Sequence, residues 1–116
     1  MKPDASGWLY KRHTRCMGVV PCAGPTWVRR FFIVKGGFLF RYASDKSKKP
    51  KGIPLPLQHA SFSEFPGPTG GEFMAGTLRK RLILRAPSAA ERDTWLATLN
   101  ATKQLEIKAS LGHAER

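Results

Sequence analysis

The feature that most constrains this chain is the run from Gly7 to Tyr42, "GWLYKR", a loop, then "TWVRRFFIVKGGFLFRY". Side chains along a strand alternate between faces with period two. Three segments of the run show that alternation, and on each one face carries an apolar residue with a basic residue two positions away: Leu9 with Lys11, Phe32 with Arg30, Leu39 with Arg41. The order inverts on the middle segment, as an antiparallel meander requires, because neighbouring strands run in opposite directions. The pattern predicts three antiparallel strands with Lys11, Arg30 and Arg41 gathered at one end of an apolar sheet. A cationic mouth over an apolar floor is an anion site in outline.

The rest of the chain extends this frame. Residues 1–5 are polar and predicted to be a flexible N-terminus. The first three strands are predicted over 7–12, 27–35 and 38–42, with Gly36 and Gly37 forming a tight hairpin turn between the last two. Between the first two, His13 to Pro25 carries Gly18, Pro21, Gly24 and Pro25, too many breakers for regular structure. A mobile loop with Met17, Val19 and Val20 at its tip is expected. "ASDKSKKPKG" reads as a charged loop, "IPLPL" as an edge strand because of its prolines, and "HASFSEF", "EFMAGTL" and "RLILRA" as the remaining strands. Seven strands at short, regular spacing are the signature of an antiparallel barrel or sandwich.

The period then changes. "PSAAERDTWLATLNATKQ" places Trp95, Leu96 and Leu99 on one helical face, and Ser88 with Glu91 forms a capping box just after Pro87. One amphipathic helix of about four turns is predicted to close the domain. Trp95 reads as its core anchor. Beyond residue 104, "LEIKASLGHAER" either extends the helix or forms a disordered tail, so the expected division is 1–5, 6–104 and 105–116.

Composition narrows the function classes. Lys and Arg number 20 against 8 Asp and Glu, a formal +12, which favours polyanionic partners. No stretch approaches the roughly 18 apolar residues of a membrane span, and "MKPDASG" lacks the apolar core of a signal peptide. A cytoplasmic protein with peripheral membrane contact is expected. Cys16 and Cys22 share one loop, and free thiols suit a reducing compartment better than a short disulfide. His13, Cys16 and Cys22 lack a fourth ligand for a structural zinc site, so no metal and no cofactor are expected. His13, His59 and His113 are scattered without a nucleophile or carboxylate partner, and Glu64, Glu72, Glu91 and Asp93 show no motif spacing, which argues against an enzyme. "KGGFLF" faintly echoes the aromatic strand of RNA-recognition folds, but those need a helix where this chain has the breaker-rich loop. Nucleic acid is therefore not an expected partner.

Four short motifs in fixed order carry a resemblance: Gly7-Trp8-Leu9 with Lys11; Trp27 with Arg30-Phe31-Phe32; Pro50-Lys51-Gly52 before Ile53-Pro54-Leu55; and Leu84 eleven residues ahead of Trp95. Over roughly residues 6 to 103 the chain closely resembles the pleckstrin homology (PH) domain. The resemblance implies two nearly orthogonal sheets in a partly open seven-stranded barrel, capped at one end by a C-terminal helix and binding ligand at the other. It further implies a headgroup-phosphate site in which Lys11 and Arg30 match the outer positions of the lipid-binding pattern. Arg41 falls on a third-strand contact position and Lys51 on a basic position entering the fourth strand. Val28 departs from the pattern at its middle position, which implies loose selectivity; Arg29 substitutes there only if the strand is bulged. Only through the resemblance do Arg79, Lys80 and Arg81 come to the mouth.

The expected function is binding of phosphoinositides or an anionic membrane surface by a monomeric targeting module. Lys11, Arg30, Arg41 and Lys51 are the expected phosphate ligands. Arg12, Arg15, Arg29, Lys46, Lys48, Lys49, Arg79, Lys80 and Arg81 are the expected supporting rim, with Met17, Val19 and Val20 inserting shallowly. The alternative is an adaptor module that binds a protein partner through Tyr10, Trp27 and Phe31 or through the helix flank, with weak, non-selective lipid binding.

Overall fold

The alternation read from the sequence is realised as a long antiparallel ladder between β1 (Ala5–Cys16) and β2 (Val20–Lys35), which runs from Ala5 opposite Val34 to Cys16 opposite Val20. The computed structural model describes residues 5–16 and 20–114, with side chains over 5–13 and 26–111. The remaining elements are β3 (Phe38–Tyr42), β4 (Leu55–Pro56), a 3-10 turn (Leu57–His59), β5 (Ser61–Glu64), β6 (Glu72–Gly76), β7 (Arg81–Arg85) and α1 (Ala89–Ala114). Hydrogen bonding joins the strands in the order β4-β3-β2-β1-β7-β6-β5, with every pairing antiparallel. β1 links the two halves, meeting β7 only at Tyr10 opposite Arg85 and Lys11 opposite Leu84. The sheet curls around one core but leaves β4 and β5 as free edges, giving an open seven-stranded sheet with one C-terminal helix.

The expected loop from His13 to Pro25 is corrected here, because both strands continue through it. Past His13 the pair is a two-stranded ribbon, where a missing N–H costs no third strand its partner. The breakers are absorbed by a bulge. His13 pairs with Thr26 and Arg15 with Pro21, so one residue of β1 faces four of β2, and Gly24 and Pro25 lie among those four. Met17 and Val19 lie outside the described residues; Val20 opens β2 opposite Cys16 and is not a loop residue. The side chains of Cys16 and Cys22 are likewise outside the described ones. The predicted strand "IPLPL" shortens to two residues, because the chain turns into the 3-10 segment at Leu57. β6 ends at Gly76, whose Cα packs so closely on the β7 side that a Cβ would meet the Lys80 carbonyl oxygen at 2.8 Å.

The inward faces supply the core: Leu9, Phe32, Val34, Leu39, Leu55, Leu57, Phe73, Leu82 and Leu84. α1 begins as the capping pattern predicts, with the Ser88 Oγ accepting the Glu91 backbone N–H at 3.1 Å. Leu99 is fully buried, while Trp95 and Leu96 are half-buried against the same cluster. Trp95 packs on β1 where a side chain would intrude, since a Cβ on Gly7 would lie 3.2 Å from its Cζ2. The helix runs on to Ala114, and its Glu106 carboxylate rests against Gly37, which holds φ +84 in the β2–β3 turn. The helix therefore covers the end of the sheet where β1 begins, and leaves the Lys11 end uncovered.

Two substitutions test this packing. Leu99→Ala is expected to lower unfolding free energy by about 2–5 kcal/mol in urea denaturation. Ser88→Ala, which removes the helix cap, is expected to cost about 0.5–2 kcal/mol.

Candidate anion-binding site

At the uncovered end the β1–β2 register sets Leu9 opposite Arg30 and Lys11 opposite Val28, while β3 sets Arg41 opposite Phe32. Lys11, Arg30 and Arg41 thus occupy one face of three adjacent strands, directly above the buried Leu9, Phe32 and Leu39. The β6–β7 turn adds Lys80, whose Nζ donates to the Ile53 carbonyl oxygen at 3.3 Å. Gly52, at φ +66, completes the rim: a Cβ there would lie 3.0 Å from Arg41 Nη2 and 3.8 Å from Lys80 Nζ. The positive φ favours glycine here, and the bare Cα leaves these cations room beside the β3–β4 loop. Lys51 anchors the same loop through its backbone, donating its N–H to the Arg41 carbonyl oxygen at 2.6 Å, with its side chain exposed.

The electrostatics of this cluster are unfavourable as it stands. Burial pushes Lys11 below its ordinary pKa, and the charges of Arg41, Lys80 and Arg30 push it further. Arg41 is lowered by burial and then by Arg30; Lys80 is lowered by burial and then by Arg41. His13 is also lowered, by burial first and then by Lys11, Arg30 and Arg41. Among the described residues, the ion pairs are Arg85–Glu72, Arg92–Glu64 and Arg92–Asp93, and none reaches this cluster. Among the described residues, Arg41 Nε and His13 Nε2 are buried without a hydrogen-bond partner. Several partly desolvated cations converge with no ion-paired carboxylate among the described residues, an arrangement that an entering phosphate would relieve.

The outer face of the same strands holds its cations differently. Arg29 stacks on Trp8 at 4.0 Å and Arg12 lies over Phe65 at 5.2 Å. Arg85 stacks on Trp27 at 3.9 Å while its Nε donates to the buried Glu72 Oε2 at 2.6 Å. Burial pushes Glu72 up, but hydrogen bonds from Thr69 and Arg85 outweigh it and hold the carboxyl below its ordinary value. A pocket of about 310 Å³ opens here between Arg12, Trp27, Phe65, Pro68 and Arg85.

This geometry corrects two members of the expected rim. Arg12 and Arg29 point to the outer face, and Arg29 cannot stand in for Val28 because the ladder between Leu9 and Lys11 and their partners is regular. The Arg15 side chain is outside the described ones. Lys46, Lys48 and Lys49 are exposed on the β3–β4 loop, and Arg79 and Arg81 are exposed on either side of Lys80. His13 and Gly52 were not among the expected site residues. The "PKG" turn was the available signal for Gly52; the period-two continuation of Leu9 and Lys11 was the signal for His13.

The PH-domain family model matches residues 3–104. The chain belongs to the PH-domain family. Among curated proteins, the Homo sapiens Arf-GAP with Rho-GAP domain, ANK repeat and PH domain-containing protein 3 is 30% identical over 113 residues, covering 97% of this chain and 6% of that protein. Bos taurus cytohesin-2 is 25% identical over 130 residues, covering 90% of this chain and 32% of that protein. The chain thus spans a small part of these multidomain relatives. Among solved structures, the PH domain of human oxysterol binding protein-related protein 11 superposes with TM-score 0.73 at 25% identity, covering 90% of this chain and 83% of that one. The C-terminal PH domain of pleckstrin, solved in complex with D-myo-Ins(1,2,3,5,6)P5, superposes with TM-score 0.71 at 18% identity, covering 88% and 96%.

The crowding of like charges in this PH domain predicts a trade of stability against binding. Lys11→Met is expected to raise the melting temperature by a few degrees in scanning calorimetry, since it removes a half-buried cation that the fold disfavours. Acidification acts through two windows. His13 is lowered in the fold, so stability falls as pH drops below 6.5, where the unfolded chain takes up the proton more readily. Glu72, also lowered, contributes stability that is present above 4.5 and lost as pH falls through its depressed value. His13→Gln is expected to flatten the first part of a melting-temperature profile and leave the second unchanged.

Proposed function

We propose that this PH domain binds phosphoinositide headgroups and thereby holds its protein at the cytoplasmic face of anionic membranes. One observation carries the reading: Lys11, Arg30, Arg41 and Lys80 converge with His13 at the uncovered end of the sheet, and among the described residues none of them is ion-paired. Monoester phosphates match that demand, because charge-assisted hydrogen bonds from guanidinium and ammonium groups are strong and orienting. Lys46, Lys48, Lys49, Lys51, Arg79 and Arg81 are exposed, and in this reading they add diffuse attraction, about 1 kcal/mol per basic residue near an anionic leaflet. The pleckstrin domain in complex with an inositol pentakisphosphate shares the fold and supports the ligand class.

Selectivity among headgroups is low in this reading. Val28 stands opposite Lys11 on the binding face, and Arg29 is committed to Trp8 on the other side, so one edge of the mouth lacks a phosphate donor. A second reading, a protein-docking module, is favoured by the aromatic pocket of Trp27 and Phe65 on the outer face. It uses a different surface, so the two readings separate by mutation.

Lys11→Ala with Arg30→Ala is expected to weaken binding to phosphoinositide vesicles by tenfold or more, since hydrogen bonds to charged groups contribute about 1.5–3 kcal/mol each. Vesicle co-sedimentation measures this, and wild-type affinity in the double variant would discard the site. Titration with a panel of inositol phosphates at two salt concentrations is expected to show affinity rising with phosphate number more than with phosphate pattern.

A further inference from the structure

Cross-strand pairing lays aromatic side chains in rows on the outward face of β1, β2 and β3. One row is Trp8, Phe31 and Tyr42, and the next is Ser6, Ile33 and Phe40. Tyr10 stands opposite Arg29 at one end of this face, and Phe38 stands between Lys35 and Pro56 at the other. Trp8 meets Phe31 edge-on with ring centroids 5.3 Å apart, Phe38 and Phe40 lie 6.2 Å apart, and Arg29 covers Trp8. Tyr10 is 41% exposed and Phe38 43%, while Trp8, Phe31, Ile33, Phe40 and Tyr42 are half-buried. The core cluster and the half-buried residues packed on it, Ala5, Phe62, Trp95 and Leu96, include none of them. They shield one another, on the side of the strands away from Leu9, Phe32 and Leu39. Leu99 and Trp95 hold α1 to the inward side, where Trp95 lies over Gly7.

A contiguous aromatic patch bordered by arginine has the composition of an interface core. The outward positions of the three strands carry Arg12, Arg29 and Lys35 and no carboxylate, and none of those cations is ion-paired among the described residues. We propose that this face docks an acidic amphipathic segment of a partner protein, its apolar side chains on the two aromatic rows and its carboxylates on Arg12, Arg29 and Lys35. Charge complementarity selects this occupant. A second copy would bring the same three cations, and a formal +12, against themselves. The inference rests on the protein-docking reading above and deepens it, moving the contact from the Trp27 and Phe65 pocket to the strands beside it and naming the partner's chemistry. It is independent of the anion site, because Lys11, Arg30 and Arg41 lie on the inward side of the same strands. A domain held by its mouth therefore keeps this face free.

Two synthetic peptides test this on the whole chain: an amphipathic helix with leucine and phenylalanine on one face and glutamates along both flanks, and the same helix with lysines for the glutamates. Fluorescence anisotropy measures affinity, and amide chemical-shift changes locate the contact. The acidic peptide is expected to bind and to shift Trp8, Phe31, Phe40 and Tyr42, while the basic peptide binds roughly tenfold or more weakly. Phe38→Ser with Phe40→Ser, and separately Arg29→Glu, are each expected to lower the acidic peptide's affinity roughly tenfold or more. A melting curve checks the fold of both variants, and Arg29→Glu, at an exposed position, decides the outcome if the serine pair fails to fold. Shifts confined to Trp27, Phe65 and Arg85 would overturn this inference and leave the docking pocket standing. Equal affinity for the two peptides, or shifts confined to Lys11 and Arg41, would overturn it as well. Binding of neither peptide would overturn it together with the docking reading.

Discussion

The antiparallel register of β1 against β2 is the constraint on which the remaining features depend. It places Leu9 beside Arg30 and Gly7 beside Phe32 on one face, with Trp8 beside Phe31 and Arg12 beside Trp27 on the other. Because strand side chains alternate, a slip of one residue would exchange the faces of the moved strand. Burial of Leu9 and Phe32 opposes such a slip, at about 25 cal/mol per Å² of apolar surface that would return to water. The cationic mouth is thus held in place by the hydrophobic core beneath it and needs no bond between its own members. Gly7 contributes a second function, since its bare Cα admits Trp95 and so seats the helix at the opposite end.

The two faces show how one residue type can serve two purposes. On the outer face Arg29, Arg12 and Arg85 each lie over an aromatic ring, and Arg85 also meets the buried Glu72. Of those charges Arg85 is ion-paired within the fold, and all three guanidinium groups are attracted to the ring beneath them. On the inner face Lys11, Arg41 and Lys80 lie beside one another, and each is disfavoured as a cation by burial first and then by its charged neighbours. A fold gains nothing from this second arrangement in the free state; an anionic ligand gains a preorganised set of donors. That none of these cations is ion-paired among the described residues therefore says more about their role than the overall charge of +12 does.

Much of this was legible in the sequence where neighbours in the chain decide the outcome. Strand β3, the Gly36–Gly37 turn and the Ser88 cap follow from local chemistry, and each stands where the pattern puts it. Lys11, Arg30 and Arg41 were legible because period-two alternation on consecutive antiparallel strands puts them on one face. The β1–β2 ribbon was not, because the breakers Gly24 and Pro25 are tolerated inside a bulge whose existence depends on pairing, not on composition. Arg12 was assigned by charge alone, although its neighbour Lys11 already occupied the binding face. Lys80 lies far along the chain, and its place beside Arg41 follows from β1 pairing with β7.

By itself the sequence determined the periodicities: two for the strands, then a helical period with its cap, and hence which side chains share a face. Those are consequences of backbone geometry acting over a few residues. Tertiary structure alone decided which distant elements meet: the β6–β7 turn with the β3–β4 loop over Arg41, Trp95 with Gly7, and Glu106 with Gly37. It also decided which charges go unpaired, since a partner such as Glu72 for Arg85 is supplied by another strand. Long-range contacts of this kind depend on how a curled sheet closes on its core, and that closure is a property of the whole chain.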